Sequence, residues 1–531
     1  MQKILALGGK LNGKTGALLL LLPVVAAALF VITVWDVEEL LEFIVDYLPI
    51  LMFVTLASLL FSGYPVAFKL GGVAVVFGFI GYSLGVFSLI EFFNFVPRIW
   101  GQAAENLVLV AVPTFVFMGV MMERSGIAED LLYAVQVLMR KVPGSLALAV
   151  TVMGTILAAM TGIIGASVTM MTALALPTML RQGYSHALAT GCIAASGTLG
   201  ILIPPSIMLI IMADLLSISV GNLFMAALGP GLMLASFYLL YIVTASGIKP
   251  EIAPPLPPEM LHVPARQMPP LILVSFLPPA ALLALVKGSI LFGWATPSEA
   301  GAVGAFGAVM LPVVIPFLVR RFIQFGLMNP SENDASGRML IKASKRYMTW
   351  EILKGVNHTA ALTIAMIFFI VMSATCFAYV FRSLGGDDVV SELIVAANFG
   401  SWGLLILILA IVFLLGFFLD WIEITLIILP IFAPLVATFD FGDHVPLVGL
   451  NGDEVTLWFT VLVAVNLQTS FLTPPFGFAL FYMKGIAPPE VHITSIYKGI
   501  VPFVLLQLFG LIAVMIFPMI ALWLPGLAYG V

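Results

Sequence analysis

The chain has 531 residues, of which 62% are hydrophobic and 9% charged, with a mean hydropathy of +1.16 and a formal net charge of -5. Soluble domains carry about 25% charged residues, so the composition excludes a water-soluble globular protein, and basic residues confined to span ends exclude a nucleic-acid partner. Continuous apolar runs such as 17–35 and 501–520 exclude an outer-membrane barrel, whose strands alternate in short segments, and suit helices that need roughly 20 apolar residues to cross a bilayer.

The sequence predicts an all-α polytopic membrane protein with about eleven full spans, near 17–35, 47–62, 70–92, 106–124, 185–212, 223–246, 270–289, 298–319, 358–381, 456–482 and 497–525. Lys3, Lys10 and Lys14 precede the first of these. That run is too long for a signal peptide and lacks a small-residue cleavage site, so it reads as a retained span. Residues 129–141 are amphipathic enough to lie along the membrane surface, and the proline-rich stretch 251–270 reads as a linker. Two apolar stretches, 145–180 and 401–437, are too long for one crossing and are interrupted by small or polar residues. Both read as re-entrant helical hairpins. Four regions follow: 1–46 with an extra N-terminal span and an acidic segment, 47–246 as a first repeat half, 247–357 as linker, connecting spans and basic loop, and 358–531 as a second repeat half.

With the N-terminus cytoplasmic, this arrangement puts all 22 Lys and Arg residues except Arg98, Lys287 and Arg382 on the inner side. That bias orients membrane proteins. It sends Asp36, Glu38, Glu39 and Glu42 outward, keeps the Arg320 to Lys354 loop cytoplasmic and places the C-terminus in the periplasm.

Two features recur in order. The segment MTALALPTML (171–180) resembles ITLIILPIFA (424–433), and a double proline interrupts a span in both GILIPPS (200–206) and SFLTPPF (470–476). The charge-derived topology opens the first hairpin to the cytoplasm and the second to the periplasm, so the repeats are inverted, as in alternating-access transporters. Paired prolines remove amide donors and disfavour helix just before them. The carbonyls freed near Gly200 to Ile203 and Phe471 to Thr473 are tolerated in hydrocarbon only where they line a cavity or bind something. Such carbonyls, with hydroxyls, are hard oxygen ligands for Na⁺, while half-helix N-termini favour an anion. Candidate oxygens are Ser167, Thr169, Ser196, Thr198 and Ser206 in one half, and Asn466, Gln468, Thr469, Ser470 and Thr473 in the other. Hydrogen bonding within or between helices is the alternative role for each.

Asp420 and Glu423 lie inside an apolar hairpin, where charges are costly and signal function. Asp420 aligns with Ser167 when the hairpin prolines are superimposed, and reads as part of a transport path, with an ion pair to Arg382 as the alternative. Arg382 suits either snorkelling or anion binding. Cys192 and Cys376 lie in apolar runs and read as packing residues. The five histidines have no paired ligand spacing, and there is no P-loop, so neither a metalloenzyme nor ATP hydrolysis is indicated.

At these residues the sequence resembles the large membrane subunit of tripartite ATP-independent periplasmic (TRAP) transporters. The resemblance runs from about Leu48 to Leu524 and includes GYPVAF (63–68), FMGVMMERSG (117–126), ASGTLGILIPPS (195–206), ATPSEA (295–300) and NLQTSFLTPPFG (466–477). The first hairpin tip, TGIIGASVT (161–169), is similar to the branch labelled for mannitol and chloroaromatic compounds. The resemblance implies a Na⁺-driven inner-membrane importer of an organic acid with no covalent cofactor. It implies two partners besides lipid: a periplasmic substrate-binding protein and a separate small four-helix membrane subunit. It also implies an elevator motion of hairpins and broken spans against a scaffold. By resemblance, the substrate cavity includes Ser167, Ser206, Arg382 and Asp420. The Na⁺ sites then draw on Gly162, Gly165, Thr169, Ser196, Thr198, Gly200 and Pro204 in the first half, and on Gly416, Asn466, Gln468, Thr469, Thr473 and Pro474 in the second. A stand-alone Na⁺/dicarboxylate or anion transporter shares the hairpins without needing a binding protein. An intramembrane enzyme using Asp420, Glu423 and His358 explains neither the repeat nor the double prolines.

Overall fold

A computed structural model of the chain describes residues 37–60, 62, 64–162, 164–255, 268–326, 348–397, 400–417, 419–438, 440–441, 452–474 and 477–529. The expected span at 17–35, most of the basic loop and most of the proline-rich linker lie outside these residues. The described residues are helical, without a strand. Among them, seven helices are long and apolar enough to cross a membrane, and one bent pair passes the same test together.

Contacts divide the chain into two units, Met1–Pro97 with Cys376–Ala397, and Arg98–Thr375 with Asn398–Val531. In the first, α1 (Val37–Asp46), α2 (Leu48–Leu60) and α3 (Val66–Ser83) follow in order. The apolar run expected to span 70–92 stops being helix at Ser83, where Gly85 takes a left-handed φ of 77° that ends the helix. Leu89–Asn94 then forms a tight turn whose Glu91 accepts from Tyr379 at 3.3 Å.

The larger unit holds α4 (Ala111–Arg124), α5 (Ile127–Leu138), α6 (Ser145–Thr161), α7 (Ile164–Arg181), α8 (His186–Thr198), α9 (Ile207–Leu215) and α10 (Val220–Ile248). α11 (Met268–Ser275) and α12 (Leu277–Leu291) meet at 43°, and α13 is Pro297–Gln324. α14 (Trp350–Ser383) contributes its residues from Cys376 to the first unit, as does α15 (Gly386–Ala397). The larger unit resumes with α16 (Ser401–Leu415), α17 (Trp421–Val436), α18 (Gly452–Leu472), α19 (Phe478–Ile486), α20 (Ile493–Ile516) and α21 (Met519–Tyr529). The run expected as one span over 497–525 is two helices, because α20 ends at Phe517 ahead of Pro518, and α21 packs on α10.

Local chemistry sets these ends. Ser185 caps α8 by accepting from Leu188 N at 3.2 Å. Thr296 and Glu299 form a reciprocal capping box that starts α13, with Pro297 at its first position. The amphipathic segment foreseen at 129–141 is α5, and it buries Ile127, Leu131, Ala134 and Val135 while packing on α6 and α11.

The two halves pack by exchange. Each hairpin (α6–α7, α16–α17) lies against the first part of its own broken span, α8 or α18. Each half also completes the other: α7 packs on α19 as α17 packs on α9, and α8 packs on α20 as α18 packs on α10.

Segment ends that the charge bias assigns to one face also meet in the structure. Tyr184 accepts from Leu146 N at 3.3 Å, and Ser185 N donates to Ile252 O at 2.9 Å. At ends assigned to the opposite face, Asp214 accepts from Asn106 at 2.6 Å and Gln102 at 3.2 Å, and Trp458 Nε1 donates to Val514 O at 2.8 Å.

The α8–α20 crossing is a backbone contact. A Cβ at Gly191 would run into the carbonyl of Gly499, and one at Gly499 into the carbonyl of Ala187. Gly191→Val or Gly499→Val should therefore destabilise the protein by about 1–3 kcal/mol through overpacking. Gly355→Ala, where a Cβ meets nothing within 4 Å, should not. Thermal unfolding of the detergent-purified variants distinguishes them.

Candidate transport site

The first hairpin turns at Gly162, whose φ of 61° is the left-handed conformation that ends α6. There is little room beside it: a Cβ on Gly162 would sit 3.1 Å from the Ile207 side chain, so the tip rests on the start of α9. A Cβ on Gly165 would sit 2.9 Å from the Tyr482 ring of α19. Behind the tip, Gly197 of α8 meets Val168 at 2.6 Å on the same measure, and Gly200 lies against the carbonyl of Ala158. Small residues thus let hairpin and broken span close backbone to backbone.

The first break comprises a short 3₁₀ turn, Leu199–Ile201, and then Pro204 and Pro205. The buried Ser206 bridges it. Its hydroxyl donates to Ile201 O at 2.6 Å and, as N-cap of α9, accepts from Leu209 N at 3.5 Å. The side chain therefore satisfies a carbonyl near the prolines and an amide of the resumed helix. Ser167 is buried on α7, and Thr169 is half-buried. Ser196 donates to Cys192 O at 2.6 Å and Thr198 to Ala195 O at 2.9 Å.

Gly416 closes α16 so tightly on α18 that a Cβ there would run into the Ser470 hydroxyl. Asn466, buried on α18, donates to Leu409 O of α16 at 2.6 Å, tying the hairpin to its broken span. Thr469 donates to Val465 O at 2.9 Å, Ser470 to Leu467 O at 2.8 Å and Thr473 to Thr469 O at 2.8 Å, immediately before Pro474. Gln468 turns to α10, where its amide donates to the Tyr238 hydroxyl at 3.3 Å. A hydroxyl that donates into its own helix retains lone pairs, so these groups can still ligate a cation.

Asp420 is the N-cap of α17. Its Oδ1 accepts from Trp421 N at 2.8 Å, and the buried Glu423 reaches back to accept from Asp420 N at 3.1 Å. The two acids foreseen as a transport-path group and a less defined neighbour thus form one reciprocal cap, with negative charge at a helix N-terminus where the dipole favours it.

Ser167, Ser206 and Asp420 belong to the larger unit, with all the candidate ion ligands. Arg382 belongs to the other, where its Nε lies 3.6 Å from Asp387 of α15. One residue escaped the sequence reading. Tyr482 on α19, 44% exposed, packs its ring on the first hairpin at Gly165 and lies within electrostatic reach of Asp420 at the second. It thus packs on one tip and senses the charge at the other. No local pattern marks it in the short helix that also carries Lys484.

Paired hairpins closing on proline-broken helices are an arrangement suited to a membrane transporter. Residues 53–520 match the model of the tripartite ATP-independent periplasmic transporter, DctM component, and the chain belongs to this family. It is therefore a transport permease component of the cell membrane and not an enzyme. It is the large member of a three-part system completed by a small membrane subunit and a periplasmic binding protein.

Its relatives include the C4-dicarboxylate TRAP transporter large permease protein DctM of Vibrio cholerae, 25% identical over 482 residues that cover 90% of this chain and 98% of that one. The ectoine TRAP transporter large permease protein TeaC of Halomonas elongata is 26% identical, over 90% and 99% of the two chains. The sialic acid TRAP transporter large permease protein SiaM of Vibrio cholerae is 27% identical, over 89% and 97%.

The capping geometry separates two properties of Asp420. Asp420→Ala should lower stability by roughly 0.5–2 kcal/mol through loss of the cap, whereas Asp420→Asn, an equally good cap, should melt with the wild type. Equal melting temperatures for all three proteins would remove the capping role.

Proposed function

We propose that the chain is the Na⁺-coupled permease subunit that imports an organic acid, handed over by the periplasmic binding protein, across the inner membrane. The observation that carries this reading is the pair of hairpin tips, each seated on a proline-broken helix, with Tyr482 packed on one tip and within electrostatic reach of the acid at the other. Relatives named for C4-dicarboxylates and sialic acid support a carboxylate cargo.

In this reading the broken helices supply two kinds of group. Resumed helices such as α9 present amide ends that favour the substrate carboxylate, and Ser206 holds that end in place. Hydroxyls and carbonyls around Gly200 and Ser196 in one half, and around Gly416, Asn466 and Thr473 in the other, offer the hard oxygens Na⁺ needs. Asp420 adds negative charge near the second ion position. Arg382, paired to Asp387, stands as an anion-steering group. Na⁺ binding closes a tip on its broken span and so completes the substrate cavity, and the hairpins then move as a block in an elevator transition. The charge bias orients the N-terminus to the cytoplasm and the C-terminus to the periplasm.

Uptake into proteoliposomes should require an inward Na⁺ gradient, the binding protein and both membrane subunits; equal uptake in choline buffer would discard Na⁺ coupling. Asp420→Asn and Ser206→Ala should assemble yet transport at least about tenfold more slowly, as expected when a charged or hydrogen-bonding contact to cargo is lost, and wild-type rates would take both out of the path. Alkaline phosphatase fused after Val531 should be active; an inactive fusion of normal abundance would reverse the topology.

A further inference from the structure

Away from the hairpin tips, a cleft of about 450 Å³ opens between the start of α8, the end of α10 and the start of α20. Its apolar lining includes Leu188, Ile248 and Ile252, and its polar edge holds Tyr241, Lys249 and Lys498. Both lysines are exposed, one just past the end of α10 and the other in α20, and among the described residues no acidic side chain lines the cleft. The N-terminus of α8, capped by Ser185, faces the same space and adds its dipole to the two ammonium charges. The three segments that form the cleft all lie at ends the charge bias assigns to the cytoplasmic face, where anionic lipid gathers.

An apolar wall beneath a paired positive edge matches a molecule with one negative headgroup and hydrocarbon attached. A free inorganic anion would leave the apolar lining without a partner, and a zwitterionic lipid would set its own cation against the lysines. We propose that this cleft binds the phosphate headgroup of an anionic phospholipid, with Lys249 and Lys498 on the phosphate and the glycerol and upper acyl carbons against Leu188, Ile248 and Ile252. Gly499, beside Lys498, also lines the cleft and begins the backbone crossing of α8 and α20 at Gly191. A headgroup seated here braces the first broken span against α10 and α20 at its membrane-surface end.

The test uses the full chain purified in detergent and titrated with phosphatidylglycerol, phosphatidylcholine or inorganic phosphate, read by thermal shift and by native mass spectrometry of retained lipid. Phosphatidylglycerol should raise the melting temperature and remain bound, while the other two should do neither. Attraction to each lysine near a membrane surface corresponds to about fivefold in affinity, so Lys249→Ala with Lys498→Ala should raise the half-saturating lipid concentration ~25-fold. The corresponding pair of Lys→Arg changes, and Lys354→Ala elsewhere on the surface, should leave it unchanged. Leu188→Trp, which fills the apolar wall with both lysines intact, should also abolish the shift. Equal stabilisation by phosphatidylcholine would overturn headgroup recognition, equal stabilisation by phosphate alone would overturn the lipid as ligand, and an unchanged titration in the double alanine variant would overturn the site.

Discussion

A backbone amide or carbonyl inside a bilayer has no water to turn to, so every interruption of a helix there must be covered by protein. This chain interrupts helices twice with paired prolines, and the surrounding architecture covers those interruptions. Ser206 reaches across the first break to the Ile201 carbonyl, and Gly200 brings the same region against the backbone of α6. In the second half Thr473 donates to Thr469 at the edge of the break, while Asn466 fastens the neighbouring hairpin by a buried bond to Leu409. The hairpins are what make broken helices tolerable at this depth.

Close contact in turn explains the placement of small residues. Helix association in lipid gains nothing from hydrophobic transfer between tails and side chains, and relies on packing distance and buried hydrogen bonds. Gly197 and Gly416 each occupy a point where a side chain would collide with the partner element, and Gly162 and Gly165 leave little room beside theirs. Polar residues of the core mostly bond within their own helix, as Ser196 and Thr198 do, and a few cross between helices, as Asn466 and Gln468 do.

Much of this was legible in the sequence because the strongest signals are local. Apolar length marked the hairpins, double prolines marked the breaks, and similar segments in order marked the repeat. The signals that failed were also local ones, read in a medium where they lose discrimination. Apolar continuity cannot say where a helix stops, so 497–525 read as one span although Phe517 and Pro518 divide it, and 70–92 read as helix past Gly85. Nor can a charged residue in an apolar run announce its partner. Asp420 caps its own helix with Glu423, and Arg382 belongs with Asp387 in the other unit. Tyr482 was invisible because its importance comes from Gly165, more than half the chain away, and from no feature of its own neighbourhood.

The exchange of partners between halves has a consequence for biosynthesis. α7 finds its cover in α19, and α8 finds its backbone-to-backbone neighbour in α20, both from segments that leave the ribosome long after the first half. The first hairpin and first broken span therefore enter the bilayer without the helices that shield them. Chains of this size pass through partly assembled species, and here the waiting interval is written into the topology. Closure of the first half therefore waits for α19 and α20 to be made.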